Sequence, residues 1–183
     1  TPADQLFLAS IERVWTTFGP FQIEVPARWG PISCNFAFTR KGLAQEYCHA
    51  MLSPAGESLT CSIAVVTGDD VDLSDVIPTD NKRGRSYFSD RCTVSWHYES
   101  NPILRMLDRC LGRGVVWLPT GRAPDWELSR PACSLLQGML TNTPWSGVHG
   151  AAIGRSDRIL LLAGKGRAGK STAALSCLRE GWD

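Results

Sequence analysis

The clearest chemical signal in the sequence is the glycine-rich segment 164–172. It reads Gly-Lys-Gly-Arg-Ala-Gly-Lys-Ser-Thr, which matches the pattern G-x-x-x-x-G-K-[ST] of a phosphate-binding loop. Glycines let the backbone approach a phosphate closely, and the helix that follows such a loop directs its first N–H groups toward the anion. The segment therefore predicts a site for the phosphates of ATP or GTP.

Each residue type in this segment has a role in the predicted site. Lys170 would contact the outer phosphates as a point charge, and it is also a catalytic candidate. The Ser171 hydroxyl would reach Mg²⁺. Lys165 and Arg167 add charge, which either holds phosphate or faces solvent. The predicted nucleotide-binding residues are Gly164, Lys165, Gly166, Arg167, Ala168, Gly169, Lys170, Ser171 and Thr172.

The flanking segments supply the context that the pattern requires. Residues 159–163 are all apolar, which is typical of a strand buried on both faces. Residues 170–180 have apolar residues on one face of a helix, and Gly181 follows as a stop signal. The sequence thus predicts strand, loop and helix in that order. The alternative is an ordinary glycine-rich turn that contains Lys-Ser by chance.

A predicted hairpin brings His149 close to the loop. The segment 148–153 is predicted to be a strand that a turn at 154–157 folds back against 159–163. At about 3.3 Å per strand residue, this hairpin brings His149 level with the start of the loop.

The combination of motifs over 148–182 resembles the HPr serine kinase family. It has His149-Gly150, a tight turn, an apolar strand, the loop, and an Ala-Leu-rich helix that ends in Arg-Glu-Gly-Trp, with 21 residues from His149 to Lys170. The likeness extends to divergent relatives, including kinases encoded with lasso-peptide pathways. The resemblance implies transfer of the ATP γ-phosphoryl group to a serine-like hydroxyl of a peptide, protein or small molecule. It also implies Mg²⁺. It makes His149 a catalytic candidate, because the equivalent histidine of the family lies near the transferring phosphate, where a neutral imidazole could handle a proton or stabilise charge. The alternative is a histidine that only forms a hydrogen bond at the end of a strand.

The family's catalytic base would lie further along the chain. In these kinases an Asp pair follows the Gly-aromatic step by a few residues, and Asp183 comes too early to match it. We therefore expect a truncated chain that lacks the base. Two other functions stay open: a nucleotide-binding regulatory or scaffold module without transfer chemistry, and a hydrolase used as a switch.

The remainder of the chain predicts an α/β fold, with a mixed α+β lobe followed by the start of an HPr-kinase-like P-loop core. Residues 1–130 are assigned to the β-rich lobe and 131–183 to the N-terminal part of the kinase domain. Periodicity and turn residues predict helices at 3–15, 43–52, 102–111 and 130–140, and strands at 21–25, 34–39, 59–66, 86–99 and 114–118. The alternation within 86–99 predicts a half-buried strand.

The composition excludes several classes of protein. Lys and Arg number 19 against 18 Asp and Glu, so we expect no nucleic-acid partner, which would require a basic excess. No apolar run is long enough to span a bilayer, so we expect no membrane association. The seven cysteines are irregularly spaced without C-x-x-C, which indicates reduced thiols and a cytoplasmic protein. Homo-oligomer formation stays open.

Overall fold

The chain has an α/β fold made of two compact units. The computed structural model describes residues 1–48, 61–77, 84–97, 101–141 and 143–183. Unit 1 spans Thr1–Thr141 and unit 2 spans Asn142–Asp183. The helix at 133–139, which the sequence analysis assigned to the kinase domain, packs on the sheet of unit 1.

Unit 1 is built on one mixed sheet of seven strands. The strand order is β1-β2-β3-β7-β6-β5-β4, in which β3 is parallel to both of its neighbours and every other pair is antiparallel. Its elements in chain order are α1 Pro2–Phe18, β1 Ile23–Trp29, β2 Ile32–Phe38, α2 Lys41–Cys48, β3 Cys61–Thr67, β4 Arg85–Phe88, β5 Cys92–His97, β6 Ile103–Asp108, β7 Arg113–Leu118, α3 Asp125–Leu128 and α4 Cys133–Met139.

Helices cover both faces of this sheet, so the unit has two hydrophobic cores. On one face α1 buries Phe7, Ile11 and Val14 against apolar residues of the central strands. On the other face α2 and α4 contribute Tyr47 and Leu135, among others, to the second core. Because both faces are covered, the central strands are apolar on both sides rather than alternating.

This double coverage explains the largest error of the sequence analysis. Residues 102–111 were predicted to be a helix, but 103–108 form β6, which pairs with β5 and β7. All six residues of β6 are buried, so the strand has no period-2 pattern by which to recognise it. Asp108 then accepts hydrogen bonds from the N–H groups of Cys110 and Leu111 and so stabilises the turn into β7.

The segment 86–99 also differs from its prediction. Its described part forms two strands, β4 and β5, joined by a turn in which the Ser89 hydroxyl accepts the N–H of Cys92. β5 is not half-buried, because α1 and α4 cover its two faces and only His97 is partly exposed. The helix predicted at 43–52 is confirmed as far as Cys48, and residues 49–52 lie outside the described residues, as do 98 and 99.

The other elements of unit 1 agree with the sequence-based prediction. The N-terminal helix is confirmed, and a capping box between Thr1 and Asp4 explains where it begins. The strands near 21–25, 34–39, 59–66 and 114–118 are confirmed with shifts of one or two residues at most ends, residues 59 and 60 being undescribed. None of the described helices has the length and apolarity that crossing a bilayer requires.

Unit 2 is a two-stranded antiparallel sheet with one helix. β8 Gly150–Arg155 pairs with β9 Arg158–Ala163, and α5 Lys170–Arg179 follows. The predicted hairpin and the predicted helix are therefore confirmed. α5 packs against β8, and Asp183 exchanges two backbone hydrogen bonds of 2.7 and 2.9 Å with Gly154.

Close packing of α4 on β5 leads to a stability prediction for Gly138→Ala. An added Cβ would lie 2.6 Å from Oγ1 of Thr93 and 3.0 Å from its Cγ2. Thr93 is fully buried, so it has no space to move into. We expect the free energy of unfolding to fall by about 1–3 kcal/mol, measured by chemical denaturation.

Gly42→Ala is the matched control, since it makes the same change in another helix of unit 1. Nothing lies within 4 Å of a Cβ at Gly42, so we expect an unchanged or slightly raised stability, by at most about 1 kcal/mol. Equal effects of the two substitutions would show that α4 and β5 do not pack this closely.

Candidate functional site

The glycine-rich loop joins the end of β9 at Ala163 to the start of α5 at Lys170. Two of its residues have left-handed backbone conformations, Arg167 with φ 65° and Gly169 with φ 80°. The Ala168 N–H donates to the Lys165 carbonyl at 3.2 Å, which closes a turn inside the loop. The chain therefore bends tightly, and α5 begins directly from it. This is the strand–loop–helix arrangement that a phosphate-binding loop requires.

Lys170 is the half-buried cation of this loop. Its ammonium donates to the carbonyl oxygens of Gly164 at 3.0 Å and Lys165 at 2.9 Å. The side chain therefore folds back over the first two loop residues instead of extending into solvent. An ammonium has three N–H donors, so two hold the loop and a third is available to an oxygen of a ligand.

The electrostatics of the loop favour an anion. Segment 164–172 contains three cations, Lys165, Arg167 and Lys170, and no acidic residue. The backbone N–H groups at the start of α5 add positive potential at the same end. The residues present therefore fit the phosphates of a nucleotide. The exposed hydroxyl of Ser171, in the first turn of α5, is an oxygen ligand suited to Mg²⁺.

The described part of the chain contains no cluster of the side chains that usually bind metal ions. Among residues 1–48, 61–77, 84–97, 101–141 and 143–183, no three His, Cys, Asp or Glu side chains are grouped as metal ligands would be.

His149 directly precedes β8 and is exposed. The first residue of β8, Gly150, pairs with Ala163, the last residue of β9. His149 therefore directly precedes one member of the last pair of the hairpin, and Gly164, where the loop begins, directly follows the other.

The predicted burial of residues 159–163 on both faces is not observed. Ile159 is 81% exposed, and Leu160 and Leu161 are about half exposed. In the described chain β9 pairs with β8, and α5 packs against β8. Five consecutive apolar residues predict a strand that other elements cover on both faces. The pattern of one segment does not show whether such covering elements are present.

A second polar group, which the sequence analysis missed, lies in unit 1. Arg105 of β6 and Glu127 of α3 form a buried ion pair, and their side chains are 7% and 1% exposed. The Nε and Nη2 atoms of Arg105 both donate to Oε2 of Glu127, at 3.0 and 2.5 Å. The other carboxylate oxygen accepts the Tyr47 hydroxyl at 3.3 Å and the Ala132 N–H at 2.8 Å. Burial, and secondly the charge of Glu127, holds the pKa of Tyr47 well above its usual range. The sequence contained one signal of this buried pair, an arginine within the otherwise apolar run 103–107.

No family model, curated protein or solved structure matches the chain. The resemblance to HPr serine kinases therefore stays a prediction from sequence. The structural evidence on function is the loop and its surroundings.

The backbone of the loop leads to a prediction for two of its glycines. A Cβ at either Gly166 or Gly169 would meet nothing within 4 Å, but only Gly169 has a positive φ. Gly169→Ala should cost about 1 kcal/mol in backbone strain, whereas Gly166→Ala should cost no such strain. The Ala173 N–H donates to the Gly169 carbonyl at 2.8 Å. We expect hydrogen exchange of this amide to be about fivefold faster in Gly169→Ala and unchanged in Gly166→Ala. Equal exchange in the two variants would contradict the left-handed start of α5.

Proposed function

We propose that the protein is a nucleotide-dependent serine kinase of the HPr kinase-like type. Its reaction would move the γ-phosphoryl group of ATP, or of GTP, to a serine-like hydroxyl of a peptide, protein or small molecule. One observation carries the proposal: Lys170 is folded over a glycine-rich loop between a strand and a helix, with two of its three donors on loop carbonyls. The sequence resemblance over 148–182 is the reason for proposing a serine-like hydroxyl as the acceptor.

The residues of the loop would bind and orient the nucleotide. N–H groups of 164–169 and of the first turn of α5 would surround the phosphates, and Lys170 would exchange its bonds to loop carbonyls for bonds to phosphate oxygens. The hydroxyl of Ser171 would ligate Mg²⁺, which neutralises charge on the phosphates when it is bound. Phosphoryl transfer depends mostly on such positioning and charge stabilisation.

His149 would contribute to transfer of the phosphoryl group rather than to the affinity for the nucleotide. His149 is next in sequence to Gly150, which pairs with Ala163 directly before the loop, and this supports an imidazole beside the entry of the loop. An imidazole there could hold or pass a proton. We also place this activity in the cytoplasm, with a nucleotide and a hydroxyl-bearing acceptor as partners.

A regulatory module or a hydrolase would use the same loop, and product analysis separates the three. Protein that contains the catalytic base, incubated with Mg²⁺, γ-labelled ATP and a hydroxyl-bearing acceptor, gives labelled acceptor if it is a kinase and free labelled phosphate if it is a hydrolase. A regulatory module gives neither and retains nucleotide binding.

Lys170→Ala tests nucleotide binding. A hydrogen bond to a charged group contributes about 1.5–3 kcal/mol, so we expect the Kd for Mg-ATP to rise at least tenfold in titration calorimetry. Arg158→Ala is the control, because it removes the same charge from an exposed residue at the opposite end of β9. Equal affinities in Lys170→Ala and the wild-type protein would refute a phosphate-binding role for the loop.

His149→Ala tests chemistry separately from binding. In protein that contains the catalytic base, we expect kcat for phosphoryl transfer to fall by about 10- to 1000-fold, with the Kd for the nucleotide nearly unchanged. The thermal midpoint is measured on the same preparation. A lower midpoint with an unchanged rate per folded molecule would make His149 a structural residue at the end of a strand.

A further inference from the structure

The backbone of the glycine-rich loop is strained at Arg167. Its φ of 65° lies in the left-handed region, which is unfavourable for any residue that has a Cβ. Gly166, the residue before it, has no positive φ. The loop thus has an arginine where the backbone favours glycine, and a glycine where the backbone does not require one. Strain of this kind persists chiefly at ligand clamps and active sites, where the surrounding structure maintains it.

The charge of Arg167 is not used within the protein. Its side chain is exposed, and in the part of the chain that the structure describes its guanidinium has neither an ion pair nor a hydrogen bond. The acidic residues of unit 2 are Asp157, Glu180 and Asp183. Asp157 precedes β9, about 20 Å of strand from the loop, and the other two follow α5, about 15 Å of helix away. No carboxylate of unit 2 therefore neutralises this arginine.

The loop holds Arg167 close to the ammonium of Lys170. The Lys165 carbonyl oxygen accepts the N–H of Ala168 at 3.2 Å and the ammonium of Lys170 at 2.9 Å. The first of these bonds closes the turn 165–168, in which Arg167 is the third residue. The turn and the ammonium therefore meet at one oxygen atom, and a phosphate oxygen on Lys170 is within reach of the long arginine side chain.

A guanidinium is well suited to the phosphoryl group that moves. In the transition state of phosphoryl transfer, charge is spread over the oxygens of the transferring group, and an arginine that contacts them stabilises it. The planar N–H pairs of arginine match two such oxygens at once. Lysine lacks this fork, so Lys170 and Arg167 would serve one group in different ways.

We propose that Arg167 is a catalytic residue, which donates hydrogen bonds to the oxygens of the transferring phosphoryl group in the transition state. This inference rests on the proposed function. In the transfer, the acceptor oxygen forms a bond to the γ-phosphorus and the bond from that phosphorus to the bridging oxygen breaks. The nucleoside diphosphate leaves, and the hydroxyl proton passes to the catalytic base. Arg167 keeps its own proton and charge throughout.

The test compares two ligands in protein that contains the catalytic base. Mg-ATP represents the ground state, and Mg-ADP with aluminium fluoride represents the transferring phosphoryl group. Arg167→Ala removes the guanidinium and leaves a Cβ at the same φ, so the backbone strain is unchanged. In titration calorimetry we expect its Kd for the fluoride complex to rise by about 100-fold or more. Its Kd for Mg-ATP should rise by about threefold or less, because the contact is made in the transition state.

Two further variants make the comparison specific. Arg158→Ala, the matched control, makes the same substitution at the opposite end of β9 and should leave the ratio of the two Kd values unaltered. Arg167→Lys retains the charge without the fork, and it should recover less than half of the lost affinity for the fluoride complex on a logarithmic scale. Amide resonances of α5 that match those of the wild-type protein serve as evidence of folding.

Three outcomes would overturn the proposal. They are an unchanged Kd ratio in Arg167→Ala, equal changes in Arg167→Ala and Arg158→Ala, and wild-type protein that binds the fluoride complex no more tightly than Mg-ADP. Lys170→Ala separates this failure from that of the proposed function. Equal Mg-ATP affinities in Lys170→Ala and the wild-type protein refute the nucleotide site itself. A raised Kd in Lys170→Ala, with an unchanged ratio in Arg167→Ala, refutes only the role of Arg167.

Discussion

The architecture of unit 1 depends on one buried ion pair, between Arg105 and Glu127. A central strand that is covered on both faces would normally contain only apolar residues, yet β6 carries a guanidinium at its middle. Removing two charges from water costs several kcal/mol per ion, and good geometry with further hydrogen bonds must offset that cost. The pair meets these conditions, since Glu127 accepts four hydrogen bonds in total.

Satisfying this one carboxylate determines where several elements lie. Two of the four donors belong to Arg105 of β6, and the third is the Tyr47 hydroxyl of α2. The fourth is the N–H of Ala132, which directly precedes α4 and has a φ of 50°. Glu127 itself is on α3, which is one turn long and could not be stable alone. The requirement to pair a buried charge thus fixes three helices over one strand.

Unit 2 depends on a different constraint, the left-handed turn that ends the loop. Gly169 takes φ 80° as the residue before α5, so the helix starts immediately after the loop and Lys170 can reach back to Gly164 and Lys165. The antiparallel register of β8 and β9 pairs Gly150, which follows His149, with Ala163, which precedes the loop. Local interactions within about 35 residues suffice for this geometry, which explains why it was accessible from sequence.

The sequence alone determined the strand, loop, helix and hairpin of 148–180, together with the α/β class, because these depend on glycine conformation, turn residues and short-range periodicity. It also indicated most of the other elements of unit 1. It did not reveal β6, because a strand buried on both faces has no alternation and can be mistaken for a helix. Nor did it reveal the Arg105–Glu127 pair, since residues 22 positions apart meet only when helices pack on the sheet. The tertiary structure decided those features because burial, and the need to neutralise charge within it, is a property of the assembled layers rather than of any one segment.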